Sequence, residues 1–169
     1  MTDFAETPPI PSQLLVLDPR QPGWGALVAN VSSDTAVLLL DPQQDGLQQL
    51  VDVAAIYAPL QSIQLPDHGE AGRVILGTRV LDMAHLGAAS ELLGELAGFL
   101  APGGAVHLTG RPGQGPAGRN LANTLSRLTG RRVHAVRNRP TAAAGASGAA
   151  WPVWSQEVPV VHATAAGSA

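Results

Sequence analysis

Ser62-Ile-Gln-Leu-Pro-Asp-His-Gly69 reads as a buried strand that delivers a histidine to a glycine turn, and it decides the fold. Ala105-Val-His-Leu-Thr-Gly110 reads as its partner strand, closing on Thr109-Gly110-Arg111. Short apolar runs of the same kind come earlier. Leu14-Leu-Val-Leu17 is stopped by Asp18-Pro19, and Ala36-Val-Leu-Leu-Leu40 by Asp41-Pro42. The Leu14 and Ala36 runs do not alternate with polar residues as a half-exposed strand would, so helices are expected over both faces of their sheet.

Helical periodicity fills the gaps. Trp24 to Val31 sets Trp24, Leu27, Val28 and Val31 on one face. Asp45 to Tyr57 carries the stripe Leu47, Leu50, Val51, Ala54 and Ala55, with Asp45 placed to cap its free N–H groups. Asp82 to Phe99 predicts a long helix with Leu86, Leu92, Leu93, Leu96 and Leu100 inward, ended by Pro102-Gly103-Gly104. Arg73-Val-Ile-Leu-Gly77 and Thr78 to Leu81 predict a small β excursion turning at Gly77. A flexible Gly-rich loop is expected over Gly110 to Gly118, then a helix over Arg119 to Thr129 and a strand over Arg132 to Val136. Trp151 to Val161 resumes β-like alternation, as an edge strand would.

Strands alternating with helices imply right-handed crossovers. The expected fold is α/β: a mainly parallel sheet flanked by helices on both faces, a three-layer sandwich. It occupies residues 12–161 as one domain, with a mobile loop at 139–150. Residues 1–11 and 162–169 are expected to be disordered. Ligands of such sheets bind beyond the C-terminal strand ends, where the His68 turn and the Gly110 loop both fall.

Composition removes several classes of function. There is no cysteine among the 169 residues, so disulfides, thiolate zinc sites and thiol catalysis are excluded. The net charge is −3, and all ten basic residues are arginine. Arg127, Arg131, Arg132, Arg137 and Arg139 cluster, but they read as a solvated surface and not as a nucleic-acid face. No apolar run approaches the roughly 18 residues of a membrane span. The start, Met1-Thr-Asp-Phe-Ala-Glu-Thr-Pro-Pro-Ile, lacks the basic and apolar regions of a Sec signal, leaving cytoplasmic residence or export by a signal-less route.

The order of these pieces resembles the DUF4347 family, bacterial domains with a caspase-like α/β fold found in very large surface proteins and adhesins. The resemblance runs from about residue 12 to 158. It rests on Leu14-Leu-Val-Leu-Asp-Pro, Val37-Leu-Leu-Leu-Asp-Pro with Asp45-Gly46, His68-Gly69, Arg73-Val-Ile-Leu-Gly77, Leu108-Thr-Gly110, Leu128-Thr-Gly130 and Trp151. It implies a His–Cys dyad carried on two strand ends. The family's Ser-His-Gly turn is Asp67-His68-Gly69 here, and its Gly-Cys pair is Gly110-Arg111. Arginine is not a nucleophile, so the resemblance implies a caspase-like domain without turnover, with His68 and Arg111 marking the old dyad.

That leaves an interaction or assembly module as the expected function, with an unidentified protein partner, no cofactor and no metal. An ion pair from Arg111 to Asp67 or Glu70 would close the old site. Trp151 and Trp154 are the expected partner contacts. One alternative is a hydrolase in which Thr109 attacks with His68 as base. Another is an S-adenosylmethionine-dependent methyltransferase, suggested by Leu96-Ala-Gly-Phe-Leu-Ala-Pro-Gly-Gly-Ala-Val-His-Leu, although the first strand ends without the glycine-rich loop such enzymes need. A phosphate loop over Gly110 to Gly118 would need a lysine that the chain lacks. His85, His107, His134 and His162 show no metal-ligand spacing.

Overall fold

The computed structural model describes residues 10–136 and 160–162. Six strands form one parallel sheet: β1 (Gln13–Leu17), β2 (Thr35–Leu39), β3 (Leu60–Leu65), β7 (Leu100–Thr109), β8 (Arg132–Val136) and β9 (Val160–His162). Their order across the sheet is β8-β7-β3-β1-β2-β9. A three-stranded antiparallel sheet is inserted between β3 and β7, from β4 (Gly69–Glu70), β5 (Arg73–Leu76) and β6 (Arg79–Leu81).

One face of the sheet is apolar and covered by helices across its centre, and the other is apolar and covered over β1 and β2. Leu14, Val16, Ala36, Leu38, Ile63, Leu65, Val106 and Leu108 face one way. They pack beneath α2 (Gly46–Tyr57), α3 (Leu86–Gly98) and α4 (Gly115–Thr129), which contribute Leu47, Leu50, Leu93, Leu121 and Leu125. Leu15, Leu17, Val37 and Leu39 face the other way. They meet Trp24, Leu27 and Val28 of the short α1 (Trp24–Ala29), together with Val31. The expected mainly parallel α/β sandwich is what forms. Twelve large side chains have essentially no exposure, and burying a leucine side chain contributes about 1.5–3 kcal/mol.

Three boundaries and one buried position differ from expectation. α3 begins at Leu86, because the Asp82 carboxylate accepts from the Ala84 and His85 N–H groups and holds residues 82–85 as a turn. β7 begins at Leu100, before Pro102-Gly103-Gly104. Leu60 pairs with Leu100 and Ser62 with Ala105, so those residues form a bulge within the strand. The Gly110 to Gly118 stretch is ordered: a 3-10 turn over Arg111–Gly113 leads directly into α4. Ala55 is exposed, and Val53 takes its place in the core.

The expected contacts Trp151 and Trp154, the loop at 139–150 and all but a few residues of the two expected disordered ends lie outside the described residues. Of the final β segment, Val160–His162 pairs in parallel with β2, Val37 opposite Val160. No helix among the described residues is long and apolar enough to cross a membrane.

Asp45 caps α2 as the sequence predicts, accepting from the Leu47 and Gln48 N–H groups at 3.0 and 3.3 Å. It also pairs with Arg79 at 2.6 Å. Substituting Asp45 by alanine removes both roles and should destabilise by more than the ~0.5–2 kcal/mol of a lost cap. Asp45→Asn keeps the cap and should fall between alanine and wild type in urea unfolding.

Candidate functional site at the C-terminal edge of the sheet

Because β1, β3 and β7 are neighbours, three strand ends lie side by side: Leu17-Asp18, Leu65 to His68, and Thr109 to Arg111. The last two are clasped. The Thr109 hydroxyl donates to the Leu65 carbonyl at 2.6 Å, tying β7 to β3 at their final rungs. One step further on, the Arg111 main-chain N–H donates to Asp67 Oδ1 at 3.0 Å. Gly110 lies between, at φ 67°, and a Cβ there would overlap the Asp67 carboxylate. Only glycine fits, on steric and on backbone grounds. The Gly110 N–H goes to the Val136 carbonyl at 3.1 Å, so the same residue also ends β8.

Of the residues singled out in the sequence, the structure brings Asp67 and Arg111 together through that main-chain bond. Glu70 pairs with Arg73 at 3.5 Å and is largely exposed, while Arg73 also meets Asp82 at 3.3 Å. His68 is half-buried, and its carbonyl accepts from the Ile75 N–H at 2.9 Å, turning the chain into the small sheet. Thr109 is half-buried with its hydroxyl proton directed at Leu65. Arg111 is exposed. Among the described residues no group of three or more His, Asp or Glu is placed to hold a metal ion.

Sequence reasoning read Asp18 only as a strand terminator. In the structure it is a fully buried carboxylate gripped by Arg20. Arg20 donates from Nε to Oδ1 at 2.9 Å and from Nη2 to Oδ2 at 2.6 Å, and its main-chain N–H reaches Oδ1 at 2.9 Å. A further bond from Nη2 to the Gly77 carbonyl, at 3.0 Å, ties the small sheet to the end of β1. Burial opposes ionisation of Asp18. The Arg20 bonds outweigh it, aided by the positive charges of Arg20 and His68, and hold the carboxyl below its ordinary value. The repeated Asp-Pro endings were the available signal, since a carboxylate after a buried strand needs a partner nearby.

The arrangement positions a histidine, a buried ion pair and two clasped strand ends. It offers no thiol, and the Thr109 hydroxyl donates to a strand-to-strand bond. Fold and site together define a parallel α/β domain whose β3 and β7 ends are clasped at the C-terminal edge of the sheet. The chain belongs to the DUF4347 family, described as a domain of unknown function, whose family model matches residues 14–166. No curated protein matches it. Among solved structures, it is similar to the A domain of carboxylic acid reductase from Segniliparus rugosus, in complex with AMP and a co-purified carboxylic acid. The identity is 13% and the TM-score 0.41, over 94% of this chain and 22% of that one. The chain thus spans about a fifth of that protein's length.

Two measurements check the clasp. Gly110→Ala should destabilise by at least the ~1–2 kcal/mol of a left-handed non-glycine residue. Adding Asp67→Ala should recover the part due to overlap and leave the backbone part, giving non-additive urea midpoints. The Asp18 pKa is lower in the folded than in the unfolded chain, so its stabilisation is complete above about pH 3.9 and is lost as pH falls through the folded value. Asp18→Asn should therefore be less stable at pH 7 and show a flatter acid limb in stability against pH.

Proposed function

We propose that this domain is a catalytically inactive, caspase-like member of its family that works as a protein-interaction or assembly module. The observation that carries this reading is the clasp: Asp67 occupies the space over Gly110 and takes the Arg111 N–H, where an acyl group would have to dock beside a nucleophile. Arg111 stands at the position of the family's thiol, and a strand-to-strand bond takes up the Thr109 hydroxyl. The rim around the clasp presents exposed Arg111, Gln114, Glu70 and Arg73, a mixed-charge surface suited to a protein partner. The family resemblance associates such a module with bacterial surface or secreted proteins.

The test is a fluorogenic peptide and ester panel, run with S-adenosylmethionine binding and with crosslinking in the native cell. The expected result is no turnover and no cofactor-induced rise in melting temperature, in wild type and His68→Ala alike. Crosslinks to one partner should map to the rim and disappear in Arg111→Glu but not in His68→Ala. Turnover abolished in His68→Ala would replace this reading with a Thr109–His68 hydrolase. Saturable cofactor binding would replace it with a methyltransferase.

A further inference from the structure

The second face of the sheet is covered unevenly. Over β1 and β2 it is apolar and lies against α1. Over β3, β7 and β8 it carries a polar row, and among the described residues no helix packs there. Gln64, His107 and His134 stand side by side in register on three adjacent strands, opposite in direction to the core residues Ile63, Val106 and Leu108. The two imidazoles are stacked, with ring centroids 5.5 Å apart and 29° between their planes. His107 is half-buried and His134 exposed. Among the described residues, neither ring makes a hydrogen bond or an ion pair.

We infer that His107 and His134 form a two-imidazole site for a divalent transition-metal ion of the copper, nickel and zinc class. The reason is geometric. Adjacent strands are about 4.8 Å apart, so side chains in register on one face start at that separation. Two nitrogens on one ion, each about 2.0–2.1 Å from it, stand roughly 3 Å apart. The site therefore requires both rings to rotate out of the stack, so that one nitrogen of each turns toward a common point. The Gln64 amide is a neutral oxygen donor one strand away, and water completes the coordination. Imidazole nitrogen selects these metals over magnesium and calcium, which prefer oxygen.

The electrostatics of the face agree. Its neighbouring positions are Ala105, Thr109 and Val136, all uncharged, and Arg132, whose exposed cation lies one row away on the edge strand. Burial, then the charge of His134, pushes the His107 pKa below its ordinary value. The sequence shows no ligand spacing because the two histidines meet only through strand pairing. This inference is independent of the inactive-module reading.

The test titrates the untagged full chain with Cu2+, followed by electron paramagnetic resonance and calorimetry. The expected result is one ion per chain with nitrogen hyperfine structure from two imidazoles, and affinity that falls on acidification. His107→Gln and His134→Gln should each weaken binding at least tenfold, whereas His68→Gln and His85→Gln should leave it unchanged. His134 is exposed, so its variant retains the fold and reads binding alone; circular dichroism checks this. Absence of binding, or binding unchanged in His134→Gln, overturns the inference.

Discussion

β3 and β7 must run side by side, in parallel and in register, for anything at the C-terminal edge of the sheet to stand where it does. Their rungs from Ser62–Ala105 to Leu65–Leu108 set that register, and the bulge at Pro102-Gly103-Gly104 absorbs the mismatch behind it. A slip of one residue would turn Ile63, Leu65, Val106 and Leu108 out of the core, so the apolar pattern enforces the pairing. The clasp then follows with little further specification. Thr109 falls opposite the last carbonyl of β3, and Asp67 falls over Gly110.

The carboxylates show one solution used three times. Asp18, Asp45 and Asp82 each sit at a chain reversal and satisfy local N–H groups, and each meets an arginine: Arg20, Arg79 and Arg73. All three are held below the ordinary carboxyl value. For Asp82 the bond from His85 is the largest cause. The Arg20 and Asp45 pairs fasten the inserted antiparallel sheet to the body. Arg20 reaches the Gly77 carbonyl, Asp45 bridges to Gly77, and the Thr78 N–H bonds the Gln44 carbonyl. Gly77 admits no side chain, because a Cβ would strike the Gln44 carbonyl. The insertion is thus anchored by polar contacts at its turn and by Val74, Leu76 and Leu81 in the core.

Much of this was legible in the sequence where a signal is local. The apolar runs at Leu14 and Ala36, the Asp45 cap, the Gly77 turn and the His68 turn all declare themselves within a few residues. Pro102-Gly103-Gly104 misled because the same residues end a helix or kink a strand, and only the pairing of Leu60 with Leu100 distinguishes the two. The glycines before α4 suggested a flexible loop, yet Gly118 is needed for close packing: a Cβ there would collide with Gly113. The pairing of the His68 and Gly110 strands was legible from their matching ends, but other long-range partners were not. Nothing near Arg20 announces Gly77, and nothing near His107 announces His134.

The position of β9 has a consequence for how the chain is made. β2 is paired on one side by β1, which precedes it, and on the other by Val160–His162, synthesised far later. At about 5–20 residues per second, the outer edge of Ala36-Val-Leu-Leu waits on the order of ten seconds for its last partner. A nascent chain that paired β1 with β2 during that interval would carry an apolar strand edge open to other extended chains until its late-made neighbour emerges.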